Sequence, residues 1–217
     1  MKEDKRAKLI LKKLNKIYPK TPIPLKHSSK FTLLVSVLLS AQCTDVNVNN
    51  VTKNIYPKFN KPKHFVKLGK KKIEKLIKSI GIFRVKAKSI YLMSKQLIKN
   101  HNGKVPRSFD ELEKLPGVGH KTASVVMSQG FGYPAFPVDT HIHRLAQRWG
   151  LTSGKNVVQT EKDLKRLFPK HFWNKLHLQI IYYGREYCKA RECYGISCEI
   201  CTECYPNRRK KIITKKA

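Results

Sequence analysis

The chain has 217 residues, enough for one large domain or two smaller ones with buried cores. It carries 46 Lys and Arg against 14 Asp and Glu, a formal net charge of +32. A polyanion such as nucleic acid is therefore the expected partner, although an AT-rich genome can account for part of the lysine excess. The longest apolar run, 31–41, is far shorter than the roughly 20 residues of a membrane span, and the charged N-terminus lacks a signal segment, so we expect an intracellular protein without membrane contact.

Apolar residues recur at helical spacing along the whole chain. Leu9, Ile10, Leu14 and Ile17 predict a first helix that ends before Pro19, and a helix capped by Ser28 or Ser29 follows. Further helices are predicted near 46–55, 62–67, 70–79, 84–100, 109–114, 120–129, 140–149, 157–167 and 171–183. No segment alternates with a period of two, so the predicted fold class is all-α. The basic segment 207–217 is predicted to be a mobile arm.

A glycine-containing turn separates two of the predicted helices, in the sequence Leu-Pro-Gly-Val-Gly-His-Lys-Thr-Ala at 115–123. Gly117 and Gly119 allow the close approach of another backbone, and the following helix presents free N–H groups. Such a hairpin can bind a phosphate without reading a base. Lys121, at the start of the second helix, is either a phosphate contact or, with a lowered pKa, a nucleophile.

A carboxylate follows in Pro-Val-Asp-Thr-His at 137–141. Asp139 could accept a proton or stabilise a developing cation, and it could equally be the N-cap of the next helix. Five cysteines lie close together near the C-terminus, at positions 188, 193, 198, 201 and 204. In a chain without secretion features, this density predicts a metal site rather than disulfides.

These motifs, taken together and in order, resemble the endonuclease III family of DNA glycosylases. The similarity runs from about residue 5 to 204. It rests on Leu-Leu-Ser-Ala-Gln-x-Thr-Asp at 38–45, Ile80-Gly81 with Lys86-Ala87, the hairpin, Val-Asp-Thr-His at 138–141, Gly184-Arg185 and the cysteines.

The resemblance implies a two-lobed helix-hairpin-helix glycosylase fold with a C-terminal iron–sulfur loop. One lobe would cover 23–133, and the other would combine 1–22 with 134–217. Double-stranded DNA with damaged bases or abasic sites would lie between the lobes, bound by a monomer. Lys121 and Asp139 would be catalytic. The implied reaction is removal of an oxidised pyrimidine, followed by β-elimination on the 3′ side of the abasic site.

The resemblance also assigns DNA-contacting and metal-binding residues. Gln42 and Ile82 would fill the gap left by an extruded nucleotide, although Ile82 could instead belong to the core. The other expected DNA contacts are Gly117, Val118, Gly119, His120, Thr122, His141, Lys189 and Arg191.

The family holds a [4Fe-4S] cluster on C-x6-C-x2-C-x5-C, and the spacing here differs. The expected ligands are Cys188, Cys198, Cys201 and Cys204, with Cys193 as a possible substitute, and a zinc ion is the alternative to the cluster. Two other functions stay open: a non-catalytic helix-hairpin-helix DNA-binding module, and a sister glycosylase of different lesion specificity.

Overall fold

The computed structural model describes residues 1–217, and it contains helices and no strands. The predicted all-α class is therefore confirmed. The α-helices are α1 (Glu3–Ile17), α2 (Lys30–Ser40), α3 (Asp45–Ile55), α4 (Pro62–Leu76), α5 (Phe83–His101), α6 (Phe109–Glu113), α7 (His120–Val125), α8 (Thr140–Arg148), α9 (Val157–Leu167), α10 (Trp173–Glu186) and α11 (Glu199–Cys204). A π-helical turn (Val126–Gly130) continues α7, and a 3-10 turn (Lys170–Phe172) precedes α10.

The chain forms two compact units. The hairpin unit consists of Ile23–Tyr133, and the terminal unit joins Met1–Pro22 to Pro134–Ala217. Each unit has its own hydrophobic core. None of the helices combines the length and the apolar composition that crossing a membrane requires.

In the hairpin unit, α2 is the central helix. All residues from Phe31 to Leu39 are buried, which explains why its sequence is apolar on every side. It begins at Ser29, whose side chain accepts a hydrogen bond from the Thr32 N–H, while Thr32 caps the Ser29 N–H in return. Around α2 pack α3, α5, α7 and the π-helical turn.

Helix α4 contains the break that the sequence predicts between 67 and 70. Gly69 has a φ of +73° and interrupts the helical backbone, so α4 consists of two helical pieces. A residue with a side chain would be strained in this conformation, whereas glycine adopts it readily. The second piece ends at Leu76, and α5 starts after the connection 77–82.

In the terminal unit, α1 packs against α10, α9 and α11. The buried side-chain amide of Gln179, on α10, connects α10 to α1. It donates to the carbonyl oxygens of Leu14 at 3.1 Å and Tyr18 at 2.9 Å, at the C-terminal end of α1. The Leu14 carbonyl also accepts the Tyr18 N–H at 2.8 Å, whereas Tyr18 follows the last residue of α1 and its carbonyl relies on the Gln179 amide.

The basic segment 207–217 is not a free arm, contrary to the prediction. The Ile212 N–H donates to the Tyr194 carbonyl at 2.9 Å. Lys215 exchanges two hydrogen bonds with the Gln147 amide, at 2.8 and 3.1 Å. Arg208 donates to the carbonyl of Arg148 at 2.6 Å and lies 3.6 Å from the Tyr205 ring centroid. The segment therefore packs along α8 and the cysteine-rich loop, because backbone hydrogen bonds and aromatic faces offset the repulsion between its cations.

Candidate nucleic-acid interface and metal centre

The glycine hairpin connects α6 to α7 and is anchored by two apolar side chains. Leu115 and Val118 are buried, and the Val118 N–H donates to the Leu115 carbonyl at 3.0 Å. Gly117 lies between them with a φ of +80°, and a Cβ atom there would approach the Cβ of Ser89 to 2.7 Å. Both its conformation and its packing therefore require glycine. Val118 contributes its side chain to the core and its N–H to the turn, so only its carbonyl is left for a ligand.

Gly119 is the N-cap of α7 and has a different role. Its φ of −94° suits any residue, and a Cβ atom there would meet nothing within 4 Å. No side chain caps α7, so the first N–H groups of the helix point towards a surface that carries no side chain at residue 119. An anion can approach the backbone closely at this point.

Lys121 and His120 occupy the first turn of α7, and both are exposed. Burial, which could lower the pKa of a lysine nucleophile, is therefore absent at Lys121. The His120 Nδ1 lies 2.8 Å from the Glu113 carboxylate, and its ring stacks on Phe109. Thr122 is half-buried beside them.

Asp139 is the N-cap of α8, as the structural interpretation of its position predicted. Its carboxylate accepts a hydrogen bond from the Ile142 N–H at 2.8 Å. The side chain is half-buried. Nearby, burial lowers the pKa of His177 to about 4, although its hydrogen bond to the Trp173 carbonyl and the negative charge of Asp139 oppose the shift. His177 is therefore neutral near pH 7 and lies close enough to Asp139 to interact with its negative charge.

His141 follows Asp139 where α8 and α10 pack closely. A Cβ atom added to Gly184 would lie 3.2 Å from the His141 Nδ1. Arg144, one turn further along α8, donates to the carbonyls of Gly184 at 3.0 Å and Cys188 at 3.1 Å. Burial lowers the pKa of this guanidinium. His141 is consequently held against α10 and only partly accessible.

Gln42 and Ile82 lie in two neighbouring loops of the hairpin unit. We call the connections 41–44 and 77–82 the insertion loops. Gln42 is exposed, and Ile82 is 53% exposed, so the core interpretation of Ile82 is wrong. A Cβ atom on Gly81 would lie 3.4 Å from the Gln42 carbonyl, which shows how closely the two loops approach.

Four cysteines form a compact buried group that we call the cysteine group: Cys188, Cys193, Cys198 and Cys201. Their sulfur atoms all lie within 4.8 Å of one another. The ligands expected from the sequence included Cys204, with Cys193 as a possible substitute, whereas the structure gathers Cys193 and leaves Cys204 outside. The reason is that Cys198 caps α11 and Cys201 lies in its first turn, while Cys204 ends that helix one turn further along. The choice of Cys204 therefore needs correction.

Hydrogen bonding within the cysteine group and burial shift the thiol pKa values. The pKa of Cys193 lies below its usual range because the thiols of Cys188, Cys198 and Cys201 donate to it. The pKa of Cys204 rises to about 12 because this thiol is buried, against the opposing charges of Arg6 and Arg208. Four sulfur donors in one buried group are a suitable ligand set for a soft metal centre, and Cys204 is a separate buried thiol.

Arg148, which is not among the residues expected from the sequence, organises the loop that carries these cysteines. Its buried guanidinium donates to the Cys188 sulfur at 3.2 Å. It also donates to the carbonyls of Lys189 at 2.9 Å and Ala190 at 2.8 Å. Lys189 and Arg191 are exposed on the same loop, and Lys189 pairs with Glu192 at 3.1 Å. The sequence signal for Arg148 was a cation near the apolar face of α8. Its hydrogen-bond partners could not be predicted, because they are distant in the sequence.

Comparison with known proteins places these features in one family. The model of the HhH-GPD superfamily of base excision DNA repair proteins matches residues 35–170. Endonuclease III of Bacillus subtilis is 42% identical over 207 residues, which cover 95% of this chain and 94% of the relative. Endonuclease III of Escherichia coli K12 is 43% identical over 191 residues, covering 88% and 90% of the two chains.

Solved structures give the same result. A non-covalent endonuclease III–DNA complex superposes with a TM-score of 0.89 at 40% identity, covering 97% of this chain and 100% of that chain. A trapped covalent endonuclease III–DNA intermediate has a TM-score of 0.88 at 41% identity, covering 92% of this chain and 94% of that chain. The chain therefore belongs to the endonuclease III family, within the HhH-GPD superfamily of base excision DNA repair proteins.

Proposed function

We propose that this protein is a DNA glycosylase and abasic-site lyase of base excision repair. The observation that carries the proposal is the match to endonuclease III over nearly the whole chain, with a lysine directly behind the glycine hairpin. The preferred substrates are oxidised or ring-saturated pyrimidines in duplex DNA. We further propose that the protein acts as a monomer inside the cell, where its DNA substrate is.

Lys121 is the proposed nucleophile. Its neutral amine attacks the anomeric carbon of the damaged nucleotide, and the bond from that carbon to the base breaks. The nitrogen and the opened sugar then form a protonated Schiff base. This cation acidifies the adjacent sugar C–H, and loss of that proton expels the 3′ phosphate by β-elimination. The strand is cut on the 3′ side of the lesion.

Asp139 is the proposed proton acceptor and electrostatic partner. A carboxylate can take the proton that Lys121 must lose, or stabilise the positive charge that develops on the sugar. The hydrogen bond to the Ile142 N–H holds this carboxylate in one orientation. A capping role and a catalytic role are compatible, because a carboxylate has two oxygens.

DNA binding is proposed to depend on backbone contacts and on insertion. Gly117 and Gly119 would let a phosphate approach the hairpin, which Val118 anchors, and His120 and Thr122 would lie beside it. His141, Lys189 and Arg191 of the terminal unit are the further proposed DNA contacts. Gln42 would hydrogen-bond the orphaned base, and Ile82 would enter the stack as an apolar wedge. This assignment is supported by the exposure of Gln42 and Ile82 in adjoining loops.

The cysteine group is the proposed site of a [4Fe-4S] cluster. Its four residues would be the ligands, and when bound the cluster would supply a rigid cross-link of the loop rather than a reaction step. Four sulfurs this close also suit one tetrahedral zinc ion with Zn–S bonds of about 2.3 Å, so zinc is the alternative. In both cases Lys189 and Arg191 are presented on a loop that the metal holds in place.

A non-catalytic helix-hairpin-helix module is the competing function. Such a module would use Lys121 only for phosphate contact. The match to endonuclease III over nearly the whole chain argues against it, whereas Asp139 alone does not decide, because the cap of α8 accounts for its carboxylate. A sister glycosylase of other lesion specificity would share the scaffold but would reject an oxidised pyrimidine.

The two hairpin glycines should respond differently to alanine. Gly117→Ala should destabilise the protein by about 1–3 kcal/mol, because alanine is strained at positive φ and meets Ser89. Gly119→Ala should leave stability within about 0.5 kcal/mol and weaken duplex binding, because only the approach of a phosphate is obstructed. Urea unfolding and fluorescence anisotropy measure the two quantities. Unchanged duplex affinity in Gly119→Ala would contradict a phosphate site there.

Cysteine substitution should separate the ligands from the remaining buried thiol. Cys193→Ser should lower the bound metal content strongly, whereas Cys204→Ser should retain it, because only Cys193 belongs to the cysteine group. Elemental analysis of the purified variants measures iron, zinc and protein together. Metal lost from Cys204→Ser and kept in Cys193→Ser would restore the ligand set expected from sequence, and zinc without iron would refute the cluster.

Lys121→Ala should abolish covalent trapping on damaged DNA. Wild-type protein, incubated with a duplex containing thymine glycol and then borohydride, should form a reduced covalent adduct through its Schiff base. Lys121→Ala should bind the duplex and form none, and Lys114→Ala, at an exposed lysine just before the hairpin, is the matched control that keeps the adduct. Folded wild-type protein that binds the damaged duplex but never forms an adduct would refute the lyase mechanism.

Asp139→Asn should separate capping from chemistry. Asparagine is an equally good N-cap, so unfolding free energy should change by less than about 0.5 kcal/mol. Base excision should fall by about 10²–10⁴-fold, because the amide cannot accept the proton. Single-turnover excision measures the rate, and Asp139→Ala, which loses both roles, should add a stability loss of about 1 kcal/mol. Full activity in Asp139→Asn would leave the carboxylate with a capping role alone.

A further inference from the structure

Both insertion loops contain a residue in a strained backbone conformation. Gln42 has a φ of +52° and Ile82 a φ of +51°. The left-handed region is unfavourable for residues with side chains, and especially for a β-branched one such as Ile82. Such strain persists only where the surrounding structure imposes it, and it commonly occurs at functional sites.

One residue, Lys86, bonds to both loops. Its side-chain Nζ donates to the Ala41 carbonyl at 2.6 Å and to the Leu39 carbonyl at 2.9 Å. Its backbone N–H donates to the Ile82 carbonyl at 3.2 Å. The backbone bond is the ordinary helical bond at the start of α5, whose N-cap is Ile82. The side chain therefore joins the first turn of α5, which begins at Ile82, to the residue before Gln42.

The side chain is well suited to this role. Lys86 is only 3% exposed, which is unusual for lysine. Its cation lies at the C-terminal end of α2, where carbonyl oxygens lack helical partners and the helix dipole is negative. Burial lowers the pKa of this amine, with a weaker opposing effect of Cys43. A surface lysine could supply the charge but could not reach the two carbonyls.

A second, weaker connection runs parallel to the first. The Asn47 side-chain nitrogen donates to the Ser79 carbonyl at 3.1 Å and to the Cys43 sulfur at 3.3 Å. Ser79 belongs to one insertion loop and Cys43 to the other. Asn47 is only partly buried, so its replacement should disturb the core less than replacement of Lys86.

We propose that Lys86 is a positioning residue: its side chain holds the end of α2, and with it Gln42, against the first turn of α5, which carries Ile82, in the arrangement that enters the DNA stack. The inference rests on the proposed function, because it assumes that the two residues insert into a duplex. Lys86 does not contact the substrate. Its loss should slow reactions that require nucleotide extrusion and spare the chemistry of Lys121.

The test compares one reaction on two substrates. An abasic site in a duplex must be extruded before β-elimination, whereas an abasic site in a single strand needs no insertion. Lys86→Met keeps the length of the side chain and removes the donors. Duplex cleavage should fall by about 10- to 100-fold, as expected for a misplaced positioning group, and single-strand cleavage should stay near the wild-type rate.

Lys88→Met is the matched control, because it removes an exposed lysine from the same helix and should leave both rates unchanged. Equal losses on both substrates by Lys86→Met would indicate a general structural role and overturn the inference, as would unchanged duplex cleavage. Wild-type protein inactive on both substrates would instead refute the proposed function. If Lys86→Met does not fold, Asn47→Ala provides the same comparison, with a smaller loss restricted to the duplex.

A double-mutant cycle shows whether Lys86 acts through Gln42. Gln42→Ala should slow duplex excision in the wild-type background and have little further effect in Lys86→Met, because the amide is already displaced. Unfolding free energies measured on the same variants distinguish positioning from global destabilisation. Fully additive effects on the excision rate would contradict the inference.

Discussion

The structure depends on how its helix ends are satisfied. Each α-helix leaves its last carbonyl oxygens without a partner, and buried carbonyls need donors. In this chain, long side chains from a second helix supply them: Gln179 serves the end of α1, Lys86 the end of α2, and Arg144 the end of α10. Each donor simultaneously orders the segment that follows the helix end. The fold thereby holds its loops in defined positions without using strands.

The candidate functional groups lie at these same helix boundaries. Gln42 follows the end of α2, Asp139 caps α8, and Lys121 lies in the first turn of α7. The cysteine-rich loop follows α10, and Arg148 donates to its first carbonyls. A helix boundary exposes backbone groups that can meet a phosphate, while the helix body keeps the position rigid. An all-helical protein can in this way present separate chemical groups on short, ordered connections.

Helix positions and fold class were largely predictable, because apolar spacing and capping residues are local signals. The break at Gly69 and the cap at Ser29 are examples. Contacts between distant segments were not predictable. The exchange of Cys204 for Cys193 depends on where α11 begins, and the docking of 207–217 depends on Tyr194 and Gln147. The exposure of Lys121 and the two-loop bonding of Lys86 likewise follow from packing that no local pattern records.

We propose that one amine, that of Lys121, performs the chemistry in a chain that carries 46 Lys and Arg. The most direct measurement is to digest the borohydride-reduced protein–DNA adduct and locate the modified residue by mass spectrometry. The account predicts that the sugar remnant lies on Lys121 alone. A remnant on another lysine or on the N-terminal amine, or one distributed over many surface lysines, would contradict it.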